Sequence, residues 1–239
     1  MTEHRLTPTP TPTVSRLARI LLGASVVLGA GVLGPAALAD DHTALTPPAD
    51  TRTAEVSQDA GSARTPLEIA AQRLPKVTAA QVLNLAAQQI GVRENSMGGG
   101  TKFHQWYMSS PRAQETAARD GGNVYGYANA PWCAMFVSWV GEMAGIRPTM
   151  GWDAYTVTHA RWFAENGHWG TVPTPGAVVY FDWEGGKSID GIDHVGFVKH
   201  DNGDGTITTI EGNTGNGNVE QRIRPVSQVA GYGYPVYAG

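Results

Sequence analysis

The chain contains a single cysteine, Cys133, and its surroundings are those that thiol chemistry requires. A thiol attacks a carbonyl only as its thiolate, so a catalytic cysteine needs a neighbour that draws its pKa down from about 8.5. From Trp132 to Ala144 the sequence is strongly apolar, with Phe136, Trp139, Val140 and Met143 at helical spacing and Gly145 as a C-terminal stop. This pattern predicts Cys133 in the first turn of a buried helix. There the positive end of the helix dipole favours an anion by roughly 0.3–1 kcal/mol, and the free amides of the same turn suit an oxyanion. An imidazole paired with the sulfur is the second device. The competing reading is a small buried hydrophobe, the fate of many lone cysteines.

Seven histidines compete for the role of base. His4 lies in the expected leader and His42 in an expected tether, while His104, His159 and His168 fall in or near predicted helices, where structural roles are usual. His194 opens a predicted strand, Asp193-His194-Val195-Gly196-Phe197-Val198, whose rigid backbone can aim a ring into a groove. His200 sits at its other end, beside the turn Asp201-Asn202-Gly203-Asp204-Gly205. A base also needs a carboxylate or amide on its second nitrogen. Glu211 ends the returning strand, and a turn over 201–205 sets residues 194 and 211 roughly opposite each other. Asn213 shares the parity of Glu211 if that strand continues, and so can join the same network.

The elements that must hold these groups come in two blocks. Thr78 with Gln81 forms a capping-box signature, followed by Val82, Leu85, Ala86 and Ile90 at helical spacing and Gly91 as a stop. One or two short helices are expected over 103–120, divided at Ser109-Ser110-Pro111, then a Gly/Asn/Tyr loop over 121–131 and a further helix over 154–166. After Pro173 and Pro175 the pattern turns to strands at 177–181, 195–199, 206–210, 219–223 and 232–237. Helices first and antiparallel strands second predict an α+β domain over 77–239, with the helices packed on the sheet.

Upstream, Arg16 and Arg19 precede an apolar run from Ile20 to Leu33 and then Ala37-Leu38-Ala39, the pattern of an export signal over 1–39 cleaved after Ala39. Fourteen residues with three glycines fall short of the roughly 20 that span a bilayer. Leu17 and Ala18 separate the arginines, which argues for general secretion rather than a twin-arginine route. Residues 40–76 read as a disordered tether rich in Pro, Thr and Ala, with a short helix over 66–74. The formal charge of −4 becomes −6 once residues 1–39 are removed, because they carry three arginines and one glutamate. A nucleic-acid partner is therefore not expected. Nor is stable membrane insertion of the mature chain, which is expected to be a monomer.

Pro131-Trp132-Cys133-Ala134-Met135-Phe136-Val137-Ser138-Trp139-Val140, Pro175-Gly176-Ala177-Val178-Val179, Asp193-His194-Val195-Gly196 and Ile210-Glu211-Gly212-Asn213-Thr214 resemble, in order, the motifs of a CHAP domain. CHAP domains are cysteine, histidine-dependent amidohydrolases and peptidases of the wider NlpC-type, papain-like superfamily. The resemblance implies a papain-like fold, a secreted or cell-wall-associated enzyme and peptidoglycan as substrate. It assigns the nucleophile to Cys133, the base to His194, the orienter to Glu211 and an auxiliary polar role to Asn213.

Some relatives bind calcium through an acidic loop before the cysteine, but that stretch here holds only Asp120 and Asn123. The 201–205 segment places Gly205 one position early for an EF-hand and reads as a β-turn. No metal or other cofactor is expected. A G-x-S-x-G serine elbow does not occur. Trp132, Trp139 and Phe136 suit a core, although Trp132 beside the nucleophile is also a candidate for a substrate groove, with Trp152, Tyr155 and Trp183. The expected function is hydrolysis of a peptidoglycan amide bond, either N-acetylmuramoyl-L-alanine or a peptide bond of the stem or cross-bridge. The alternative is a non-catalytic wall- or partner-binding module on the same fold.

Overall fold

A computed structural model describes residues 63–238, so the expected export signal and the tether as far as residue 62 lie outside the described residues. Helix α1, Pro66–Ala71, begins at a capping box formed by Thr65 and Glu68. It buries Leu67, and the Thr65 hydroxyl lies 2.7 Å from His168 Nε2. The packed body thus extends N-terminal to residue 77. Helix α2, Ala79–Ala87, starts at the capping box that Thr78 and Gln81 predict.

Two helices occupy 102–120: α3, Lys102–Ser109, and α4, Pro111–Asp120. Ser110 ends the first in extended conformation and caps the second, whose Pro111 needs no amide partner at that position. Helix α5 spans Cys133–Met143 and α6, Arg147–Met150, follows as a single turn that the hydrophobic spacing does not signal. Helix α7 runs Thr156–Glu165, two residues later than expected. The preceding amides are engaged elsewhere: Ala154 N–H donates to the Tyr107 hydroxyl and Tyr155 N–H to Asp153 Oδ1.

The strands are β1, Trp169–Gly170, β2, Val178–Phe181, β3, His194–Asp201, β4, Thr206–Thr214, β5, Asn218–Pro225, and β6, Val229–Gly233. They form one antiparallel sheet in the order β1-β6-β2-β3-β4-β5. The last strand lies earlier than the expected 232–237. Tyr234 N–H still continues the pairing on the β1 side through the His168 carbonyl, but Pro235 has no amide to offer and Ala238 N–H bonds Val77 instead.

The architecture is α+β, with α5 at its centre. Met135, Phe136 and Val140 of this helix share one core with Val178, Tyr180, Val195, Phe197 and Ile210, which come from one face of the sheet. Alternate residues Val179, Phe181, Val198 and Ile207 form a second, smaller cluster on the opposite face. Close approach between helix and sheet depends on Gly212, where a Cβ would fall 2.6 Å from Phe136 Cβ and 2.9 Å from the Trp132 ring. That contact ties β4 to the N-terminal turn of α5.

Candidate active site

Cys133 is the first residue of α5 and is 4% exposed. Trp132 precedes it and gives the helix no side-chain cap, so the first-turn amides are not claimed by a capping oxygen. The residues before the cysteine are held from below. Trp132 is fully buried, stacks on Phe103 at 5.3 Å between ring centroids and donates its indole N–H to Glu94 Oε2 at 3.1 Å. His104 contacts the Ala130 carbonyl through Nε2 at 3.0 Å and Thr101 Oγ1 through Nδ1 at 2.7 Å.

His194, the first residue of β3, stands near enough to Cys133 for the thiol to favour its charged form. Its Nε2 donates to Glu211 Oε2 at 2.9 Å, which leaves Nδ1 as the nitrogen for sulfur. The hairpin register differs from the expected one. Phe197 pairs with Ile210 and Val198 with Thr209, so Glu211 lies beside Gly196 and reaches His194 diagonally on the same face. Gly196 makes this possible, since a Cβ there would sit 2.7 Å from Glu211 Cγ and 2.9 Å from the Ile210 carbonyl oxygen.

Glu211 is fully buried, and four hydrogen bonds fill its carboxylate. Arg224 donates from Nε to Oε1 at 2.9 Å and from Nη2 to Oε2 at 2.6 Å. Thr209 Oγ1 donates to Oε1 at 2.5 Å, and His194 completes the set. Burial alone would favour the neutral acid, but Arg224, His194 and Thr209 outweigh it and hold the Glu211 pKa down at about 2. Burial likewise opposes charge on His194, yet Cys133 and Glu211 together raise its pKa to about 9. The imidazolium is the favoured form near neutral pH.

The remaining candidates separate clearly. Trp183, 39% exposed, stacks on His194 at 5.5 Å and on Phe181 at 5.2 Å, with the Arg224 guanidinium 4.9 Å from its centroid. Tyr155, 48% exposed, lines a cavity of about 250 Å³ with Tyr127, Pro131, Cys133, Ala154 and Asp193. The expected groove role of Trp132 is corrected, because that ring is wholly inside the core. Trp152 lines a different recess with Arg112, Asp153 and Trp162, and Arg147 packs 4.0 Å from its ring. Asn213 departs from the assumed parity: a register shift between Glu211 and Thr214 and a φ of +53° interrupt the alternation. The hydrogen bonds to Glu211 come from His194, Arg224 and Thr209 instead.

The other described histidines have structural partners or lie at the surface. His159 is buried between the Met150 carbonyl and the Tyr180 hydroxyl, His168 joins Thr65 to the Tyr234 carbonyl, and His200 is exposed at the far end of β3. The cavity wall that carries Tyr155 is fixed by Asp153, which is 1% exposed and pairs with Arg112 at 2.9 Å and Arg119 at 3.3 Å. Sequence reasoning passes over Arg224 and Thr209. Thr209 has the parity of Glu211 and was open to that argument. Arg224 pairs with Ile207 in the ladder, four residues from Glu211, and no spacing rule singles it out.

A thiol at an uncapped helix start, near an imidazole that a buried carboxylate holds, is an arrangement suited to acyl transfer from an amide. The CHAP domain family matches residues 122–213, a segment that includes Cys133, His194, Glu211 and Asn213. A crystal structure of the NlpC/p60 domain of the peptidoglycan hydrolase SagA is similar at 15% identity and a TM-score of 0.37, over 66% of this chain and 99% of that chain. No curated protein matches the sequence.

Proposed function

From the CHAP domain that residues 122–213 carry, we propose that this protein is a secreted peptidoglycan hydrolase that cleaves an amide bond through Cys133, His194 and Glu211. The observation that supports the reading is the buried Glu211 carboxylate on His194 Nε2, with Cys133 close enough to favour the charged ring. In the resting pair the Cys133 proton already resides on His194, and the thiolate adds to the amide carbonyl. The resulting oxyanion faces the amides of the first turn of α5. His194 then passes its proton to the departing nitrogen, the C–N bond breaks and an acyl-thioenzyme remains. Water, deprotonated by His194, adds to the thioester, and collapse releases the carboxylic acid and restores the thiol. Tyr155, in the cavity beside Cys133, and Trp183, against the His194 ring, serve to hold substrate in this reading. Asn213 serves, at most, outside the hydrogen-bonded shell of Glu211.

The test is digestion of sacculi and of soluble muropeptides by the mature protein, with mass spectrometry of the products. New amine and carboxylate ends identify the bond, whether muramoyl-alanine or peptide. Cys133→Ala and His194→Ala are expected to release no fragments above background, while Glu211→Gln, which keeps an acceptor of similar shape, retains more activity than His194→Ala. Equal fragment release by wild type and Cys133→Ala would sink the thiol mechanism. Binding to sacculi without cleavage of any wall type would favour a non-catalytic module.

A further inference from the structure

We infer that Arg224 is a positioning residue for the proposed catalytic line, clamping Glu211 in a fixed orientation and restraining the basicity of His194 through its permanent charge. The inference rests on the cysteine hydrolase reading and adds to it a residue outside the matched segment 122–213.

Three observations support it. First, the contact is a fork: two guanidinium nitrogens meet the two oxygens of one carboxylate, at 2.9 and 2.6 Å, which fixes the plane of the acceptor as well as its place. A lysine cannot reproduce that geometry. Second, the guanidinium is itself held, because Nη2 also donates to Thr214 Oγ1 at 2.9 Å and the group packs 4.9 Å from the Trp183 centroid. Trp183 in turn covers the His194 ring, so one assembly orients both members of the pair. Third, Glu211 has no exposure to water. During the proposed cycle His194 alternates between charged and neutral forms. Without Arg224, each neutral state would leave a buried carboxylate uncompensated, a costly arrangement that would bind the proton to His194 too firmly.

The charged and titratable groups gathered around the ring are Cys133 from α5, Glu211 from β4, Arg224 from β5 and Asp193 immediately before it in the chain. Glu220, also on β5, adds to the field at Arg224. Removing the cation while keeping Glu211 therefore strengthens the attraction of the carboxylate for the imidazolium proton.

The experiment titrates the His194 ring by NMR in wild type, Arg224→Gln and Arg224→Lys, and measures kcat and KM against pH on the muropeptide that wild type cleaves. In Arg224→Gln the ring midpoint is expected to rise by about one pH unit, with the alkaline limb of the rate profile following it. Arg224→Lys keeps the charge, so its midpoint stays near wild type, while loss of the fork lowers kcat about tenfold at little change in KM. A folded Arg224→Gln with an unmoved midpoint overturns the inference. If that variant does not fold, Arg224→Lys decides: wild-type kcat overturns the clamp, and a kcat loss with an unmoved midpoint supports it. Undiminished hydrolysis by Cys133→Ala would instead overturn the underlying mechanism, independently of the NMR titration.

Discussion

His194 is buried between two groups that favour its charged form, and this couples the site to the stability of the protein. Its folded pKa of about 9 lies above the ordinary 6.5. The stabilisation is therefore complete below pH 6.5 and is lost as pH rises through about 9. Glu211 has the opposite sign, with a folded pKa of about 2 below its ordinary 4.5, so its contribution is complete above pH 4.5 and is lost as pH falls through about 2. Both contributions are fully present only between pH 4.5 and 6.5. Comparing thermal midpoints of wild type and His194→Ala across pH isolates the alkaline part. The wild-type advantage should shrink between pH 6.5 and about 9. A difference that stays flat over that interval would show that His194 is not held as an imidazolium in the folded protein.

The site depends on three backbones coming together: the first turn of α5, the start of β3 and the end of β4. Each approach has a local cause. Trp132 fixes α5 by burying its ring under the helix start, Gly212 lets β4 touch that turn, and Gly196 leaves room for the side chain of Glu211. The last of these is the most exposed to a single substitution. Gly196→Ala introduces a methyl group 2.7 Å from Glu211 Cγ and 2.9 Å from the Ile210 carbonyl oxygen, in the middle of a hydrogen-bonded ladder that cannot easily yield. Overpacking of this kind costs about 1–3 kcal/mol. The expected result is a lower midpoint in urea together with a loss of muropeptide hydrolysis larger than the unfolded fraction explains, because Glu211 is displaced from His194. Wild-type hydrolysis in a folded Gly196→Ala would mean that the carboxylate need not stand where it does.

The described body begins before the four motifs and before the expected boundary at residue 77. Leu67 is 3% exposed, the Thr65 hydroxyl contacts His168, and α1 packs beside α6. The composition of residues 40–62, by contrast, offers almost no large apolar side chains to bury. A chain starting at residue 63 is therefore proposed to keep the full thermal midpoint and the activity on soluble muropeptides. A chain starting at residue 77 should be destabilised by about 2–3 kcal/mol, mainly through loss of the buried Leu67 and its helix. Calorimetry on the two truncations checks this. Equal midpoints would place α1 outside the cooperative unit.

The succession of helices and strands was legible in the sequence because each element signals itself locally. Thr78 and Gln81 cap α2, Ser110-Pro111 divides α3 from α4, and the apolar spacing from Phe136 to Met143 marks α5 with Cys133 at its start. The motifs around Cys133, His194 and Glu211 were equally local. What depended on three-dimensional packing was everything governed by register and side-chain reach. The turn closes with Asp201 opposite Ile207, further along the chain than expected, so that even after the bulge between Val198 and His200 Glu211 stands diagonal to His194, and the irregularity after Glu211 took Asn213 out of the alternation. Trp132 and Tyr155 are both aromatic residues near the nucleophile in chain or space, yet one supports the core and the other faces a cavity. Arg224 reaches Glu211 along the face of the sheet rather than across a pair, so its role follows from a fully buried carboxylate that needs a cation, a demand that arises only once the strands have closed around it.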